Sequence, residues 1–113
     1  MGELEKIKTP KVMIKIHGKE RELKYGFSAW AKLEQIYGGL DNIEKMQEDI
    51  SKKPFQTFPR LIWIGLVDKE GITEENVLDD YGLKDVKYIT EVFQKALDTS
   101  LPDEESKKEV EAN

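Results

Sequence analysis

Few side chains in this 113-residue chain have types and spacing suited to chemistry. The only histidine, His17, stands in "IHGKE", and there is no cysteine. Imidazole–thiolate metal sites and thiolate catalysis therefore lack their ligands and nucleophile. Next to a turn-forming glycine on the polar side of an alternating stretch, His17 reads as an exposed turn residue. Carboxylates are plentiful, with clusters at Glu74-Glu75, Asp79-Asp80 and Asp103 to Glu105. An acid–base pair needs two carboxyls whose environments push their pKa values apart. These groups lie at helix ends or in the charged C-terminal stretch, where capping and solvation account for them. "DKEGITEEN", Asp68 to Asn76, has the acids and glycine of a calcium loop but not the D-x-D-x-D-G spacing. "HGKE" is not a phosphate loop, and Ser28, Ser51 and Ser100 carry no activating motif. No catalytic, cofactor or metal site is expected, and the chain does not read as an enzyme.

Binding is the better expectation. Trp30 and Trp63 are placed in the core by their apolar neighbours. Phe55 falls in a loop, Met13 on the polar side of a hairpin, and Tyr81 and Tyr88 near helix ends. These four side chains are the hardest to bury in one small core. Met13, Phe55, Tyr81 and Tyr88 are therefore the partner-interface candidates.

The elements that must position them follow from periodicity. Val12, Ile14 and Ile16 alternate with Lys15 and His17, and Arg21, Leu23 and Tyr25 share one face beyond a reversal at Gly18-Lys19. That is a hairpin with one apolar side, which helices must cover. "FSAWAKLEQIYGG" puts Ala29, Trp30, Leu33, Ile36 and Tyr37 at helical spacing, with Ser28 as a cap and Gly38 as the left-handed stop. "LDNIEKMQEDI" repeats the pattern with Leu40, Ile43, Met46 and Ile50, and Asp41 as its cap. "KKPFQT" breaks it.

The apolar run Leu61–Val67, "LIWIGLV", lies in a chain of which 36% is charged. It is far short of the roughly 20 residues that span a bilayer. With Thr57-Phe58-Pro59 as its opening, it reads as a central core helix, a buried strand being the alternative. Thr73 then caps a short helix ending at Gly82. "YITEVFQKALDTSL" supplies the last amphipathic helix, stopped by Pro102.

The length fits one domain. The expected organisation is a flexible N-terminus at 1–10, a single α+β domain at 11–101, and a disordered acidic tail at 102–113. The fold class is an N-terminal β-hairpin packed on a small bundle of four to five helices. A net charge of −5 argues against nucleic acid as the partner. No secretory signal or lipidation motif is visible, so a cytosolic chain without membrane attachment is expected.

The element order carries a resemblance. The hairpin Ile14 to Leu23, the helix "FSAWAKLEQIYG" from Phe27 to Gly38, and a core helix followed by "GITEENV" together resemble the tail assembly chaperones of long-tailed phages and prophages of Gram-positive hosts. The likeness spans about residues 9–101 and consists of structural patterns. It implies a non-catalytic protein that binds the tape-measure protein and helps recruit tail-tube subunits. It also implies a homo-oligomer in the host cytoplasm that is absent from the mature virion. In several members a ribosomal frameshift appends a longer domain. The alternatives are a structural virion protein, such as a head–tail connector or tail-completion subunit, and a small non-viral adaptor or regulator.

Overall fold

The structure is a computed structural model that describes residues 11–100. The segments expected to be flexible or disordered, 1–10 and 102–113, lie outside the described residues. Strands β1 (Val12–Ile16) and β2 (Lys19–Leu23) form an antiparallel hairpin. Four helices follow: α1 (Phe27–Tyr37), α2 (Ile43–Lys52), α3 (Pro54–Gly65) and α4 (Val86–Ser100). Short 3-10 turns at Leu40–Asn42 and Leu83–Asp85 lead into α2 and α4. The arrangement is α+β, as the periodicity predicts.

Val12, Ile14 and Ile16 are buried, together with Arg21, Leu23 and Tyr25 on the same side of the hairpin. The reversal, however, is at His17-Gly18 rather than Gly18-Lys19, because Ile16 pairs with Lys19. Both residues have positive φ, 51° and 77°, which makes a type I′ turn. Moving the reversal by one position shifts the pairing by two and leaves every side chain on the same face. Apolar alternation therefore cannot choose between these registers. In the observed register, the His17 ring Nε2 donates to the Asn76 carbonyl at 2.7 Å and ties the turn to the loop beyond α3.

Helix α1 starts one residue after Gly26, whose carbonyl accepts from the Trp30 N–H. Ser28 lies inside the helix and does not cap it. Gly38 does stop it, at φ 85° with its N–H bonded to the Glu34 carbonyl. Asp41 likewise does not cap α2; it sits within the 3-10 turn, and the helix begins after Asn42. Of the expected α2 stripe, Met46 is buried and Leu40 is 57% exposed.

Helix α3 opens earlier than the Thr57-Phe58-Pro59 signal implies. A single residue, Lys53, separates it from α2, and Pro54 occupies its first position. The residue before a proline avoids the helical region, so Lys53 is where the chain must break. Pro59 then sits inside the helix. Phe58, Leu61, Ile62 and Ile64 are all buried. At about 1.5–3 kcal/mol per buried side chain, these four contribute as much as the whole net stability of a small domain, about 5–15 kcal/mol. Helix α3 is therefore the central element.

The apolar run does not finish as helix. After Gly65 the chain becomes extended at Leu66, which bridges to Leu23 on the outer edge of β2. The Lys24 N–H donates to the Gly65 carbonyl at 2.7 Å, and the Val67 N–H donates to the Glu22 carbonyl at 3.0 Å. "LIWIGLV" is thus a core helix that continues into a strand-like bridge.

The expected helix from Thr73 to Gly82 is a succession of turns instead. Thr73 does accept the Asn76 N–H, at 3.1 Å, and Asn76 Oδ1 accepts the Thr73 N–H in return. The bonds that follow close on the third residue, Asp79 to Asn76 and Tyr81 to Leu78. Asn and Asp side chains compete with the backbone for such bonds and disfavour helix continuation. Helix α4 packs Ile89, Phe93, Ala96 and Leu97 inward. The Phe93 ring meets Tyr25 at 5.4 Å and Phe58 at 5.7 Å, both edge-to-face. That contact joins the hairpin side, α3 and α4 in one core.

Candidate partner-binding surface

Two of the four interface candidates meet. Phe55 is in the first turn of α3, not in a loop, and is 59% exposed. Tyr81 is half-buried in the turn segment before α4. Both line one cleft of about 250 Å³, walled by Pro54 and Pro59 of α3, by Leu78 and by Val86, with Phe58 and Ile89 beneath. Glu75 and Asp79 also line it.

Tyr81 is fixed at both ends. Its hydroxyl donates to the Lys15 carbonyl at 2.6 Å, and its ring lies 5.8 Å from that of Tyr88. Partial burial, the neighbouring Tyr88 and the carboxylates of Asp80 and Asp85 push its pKa up to about 12. Tyr81 therefore remains a neutral donor throughout the physiological range. Tyr88 is 42% exposed at the start of α4 and backs Tyr81 without lining the cleft. Met13, on the outer side of β1 opposite Glu22, is not part of it either.

A second apolar surface lies on α1. Phe27 is almost fully exposed, and with Trp30, Ala31, Leu40 and Ile43 it borders a shallow concavity of about 420 Å³. Glu34 is its one charged lining residue. Periodicity assigns Trp30 and Leu40 to the core. Trp30 is half-buried and packs against the core from its edge, whereas Leu40 is displaced outward by the 3-10 turn. A sequence signal for this surface exists. Phe27, Ala31 and Glu34 recur at i, i+4 and i+7, beside the buried Ala29–Leu33 stripe rather than on it. Trp63, also assigned to the core, is half-buried; its indole N–H donates to the Ile72 carbonyl, and the Lys69 ammonium lies 5.2 Å from the ring.

Several of the polar groups weighed for chemistry have structural partners. Asp68 pairs with Arg21 at 3.3 Å and Lys19 at 3.5 Å, and its other oxygen accepts the Glu70 N–H. That backbone bond, aided by the two cations, holds the Asp68 carboxyl below its ordinary value. Glu74 pairs with Arg60 at 3.0 Å. Ser100 donates to the Leu97 carbonyl. Among the described residues no three His, Cys, Asp or Glu side chains gather as a metal-binding group, and no helix is long and apolar enough to cross a membrane. Asp103 to Glu105 lie outside the described residues. What the described surface offers is an apolar cleft with carboxylates at its rim and a second apolar face. No family model matches the chain, and no curated protein or solved structure is detectably similar to it.

Proposed function

We propose that this chain is a tail assembly chaperone of a long-tailed phage or prophage, acting by binding and not by catalysis. Its partner is the tape-measure protein, around which it helps recruit tail-tube subunits as a homo-oligomer in the host cytoplasm. The observation that carries the reading is the outward display of large apolar side chains on a small, acidic α+β domain. Phe27, Leu40 and Phe55 are each more than half exposed, and they stand beside concave surfaces. A tape-measure protein is a long, largely helical chain that needs many modest apolar contacts. Multiple small subunits supply these through avidity. A net charge of −5 keeps such a subunit soluble at high concentration despite its exposed apolar groups. The order of hairpin, helix, core helix and closing helix supports the same resemblance.

Co-expression with a tape-measure protein from the same genome, followed by size-exclusion chromatography with light scattering, tests the proposal. A soluble complex with several copies of this chain per tape measure is the expected result. A monodisperse chain beside an insoluble tape measure would overturn it, and recovery of the chain in purified particles would make it a virion component.

A further inference from the structure

We infer that the cleft between the first turns of α3 and the start of α4 docks a partner segment that carries apolar anchors flanked by lysine or arginine. The inference rests on the binding reading above and adds which surface binds and what chemistry it selects.

Size is the first argument. At about 250 Å³ the cleft falls below the roughly 300–1,000 Å³ of small-molecule pockets. It suits one or two side chains presented by another chain. Charge is the second. Glu75 and Asp79 line the cleft four residues apart, and no lysine or arginine lines it. Neighbouring Glu74 is neutralised by Arg60, whereas Glu75 and Asp79 form no ion pair among the described residues. An apolar floor with two unpaired carboxylates at its edge favours an apolar segment with cations and disfavours one with carboxylates. Rigidity is the third. The Tyr81 wall is held by its bond to the Lys15 carbonyl and backed by Tyr88. Docking there requires little ordering of the receptor. The α1 face lacks such a charge signature, since Glu34 is its only charge.

Two labelled amphipathic helical peptides test the inference. They share the same leucine positions, and one carries lysine and the other glutamate on its polar face. Binding to the full chain is followed by fluorescence anisotropy. The lysine peptide should bind and the glutamate peptide should bind at least tenfold more weakly. The double variant Glu75→Gln/Asp79→Asn should weaken the lysine peptide about 2- to 30-fold, the range for two exposed ion pairs. Phe55→Ser should weaken it about tenfold or more, as loss of an aromatic anchor does. Phe55 is largely exposed, so an unchanged circular dichroism spectrum and urea midpoint should show that the variant folds.

Equal binding of the two peptides would overturn the inference. So would indifference to the carboxylate changes, or loss of binding on Phe27→Ser instead of Phe55→Ser. Co-expression separates this inference from the chaperone reading. If the Phe55→Ser chain still solubilises the tape-measure protein, the cleft assignment fails and the chaperone reading stands. If the wild-type chain takes the lysine peptide in the cleft but ignores the tape measure, the chaperone reading alone fails.

Discussion

Gly65→Ala is the sharpest test of how the core is built. Gly65 ends α3 where that helix crosses the hairpin. A Cβ there would lie 2.5 Å from Cζ and 2.8 Å from Cε1 of Tyr25, and 2.9 Å from Cδ1 of Leu23. None of these atoms yields easily. Tyr25 is buried, its ring is packed against Phe93, and its hydroxyl donates to the Leu61 carbonyl at 2.7 Å. Overpacking of this kind costs about 1–3 kcal/mol. If the ring tilts to escape, the hydroxyl loses its bond, which adds about 1 kcal/mol. Opposing this, alanine is favoured over glycine by up to about 1 kcal/mol inside a helix, and by less at its last residue. The net expectation is a loss of about 1.5–3 kcal/mol. For a domain of this size that lowers the Tm by roughly 6–20 °C. Urea unfolding followed by tryptophan fluorescence measures it directly. The same substitution in a Tyr25→Leu background should cost less, because the shorter side chain vacates the collision. A Gly65→Ala protein as stable as the parent, or an unchanged cost in the Tyr25→Leu background, would refute the close approach.

Other expectations concern single contacts. The folded state holds the Asp68 carboxyl below its ordinary value of 3.8, so its pairing stabilises the fold above that pH and the benefit is lost as pH falls through the folded value. Asp68→Asn should therefore lower the urea midpoint at neutral pH, with the difference from wild type vanishing in strong acid. Arg21 is 9% exposed and its Nε lacks a hydrogen-bond partner. Arg21→Met, which removes the buried charge, should consequently be better tolerated than Asp68→Ala, which leaves that charge only the Asp68 backbone carbonyl at 3.1 Å as partner; paired urea melts would decide the order. Tyr81→Phe loses the bond to the Lys15 carbonyl and should cost about 1 kcal/mol at neutral pH. Because the folded phenol is raised to about 12, its contribution is complete below pH 10 and declines as pH rises toward 12, so the two proteins should converge in alkaline urea melts. Gly38→Ala, at φ 85°, should cost about 1 kcal/mol in thermal unfolding.

The buried faces were legible because helices and strands must place their apolar residues at periods of 3.6 and 2. The inward side of the hairpin, the broad stripe of α4 and the central position of "LIWIGLV" all follow from that rule. Features set by contacts distant in sequence were not legible. The choice of His17-Gly18 for the turn leaves the faces unchanged and involves Asn76. The bridge of Leu66 to Leu23 converts the end of an apolar helix into an extended segment, which a local pattern cannot foresee. Turn bonds among Thr73, Asn76 and Asp79 replaced a helix that the capping signal alone suggested. For the candidate surface, poor fit to the core identified Phe55 and Tyr81 separately. Their meeting in one cleft depends on the path from α3 to α4. Phe27 was missed because its stripe runs beside the buried one and was absorbed into the same helix.

The bridge between Leu66 and β2 also bears on how the domain opens. The Lys24 and Val67 amides donate across 41 and 45 residues of chain, to Gly65 and Glu22 respectively. Neither bond can form until both the hairpin and the end of α3 are in place. Neither survives if either one detaches. Fraying at a helix end exposes only local amides, whereas these two should exchange with solvent deuterium together, whenever the hairpin and the end of α3 part. Their exchange rates would then report the free energy of that separation, and equality with the rates of the buried α4 amides would show that hairpin and helices open as a single cooperative unit.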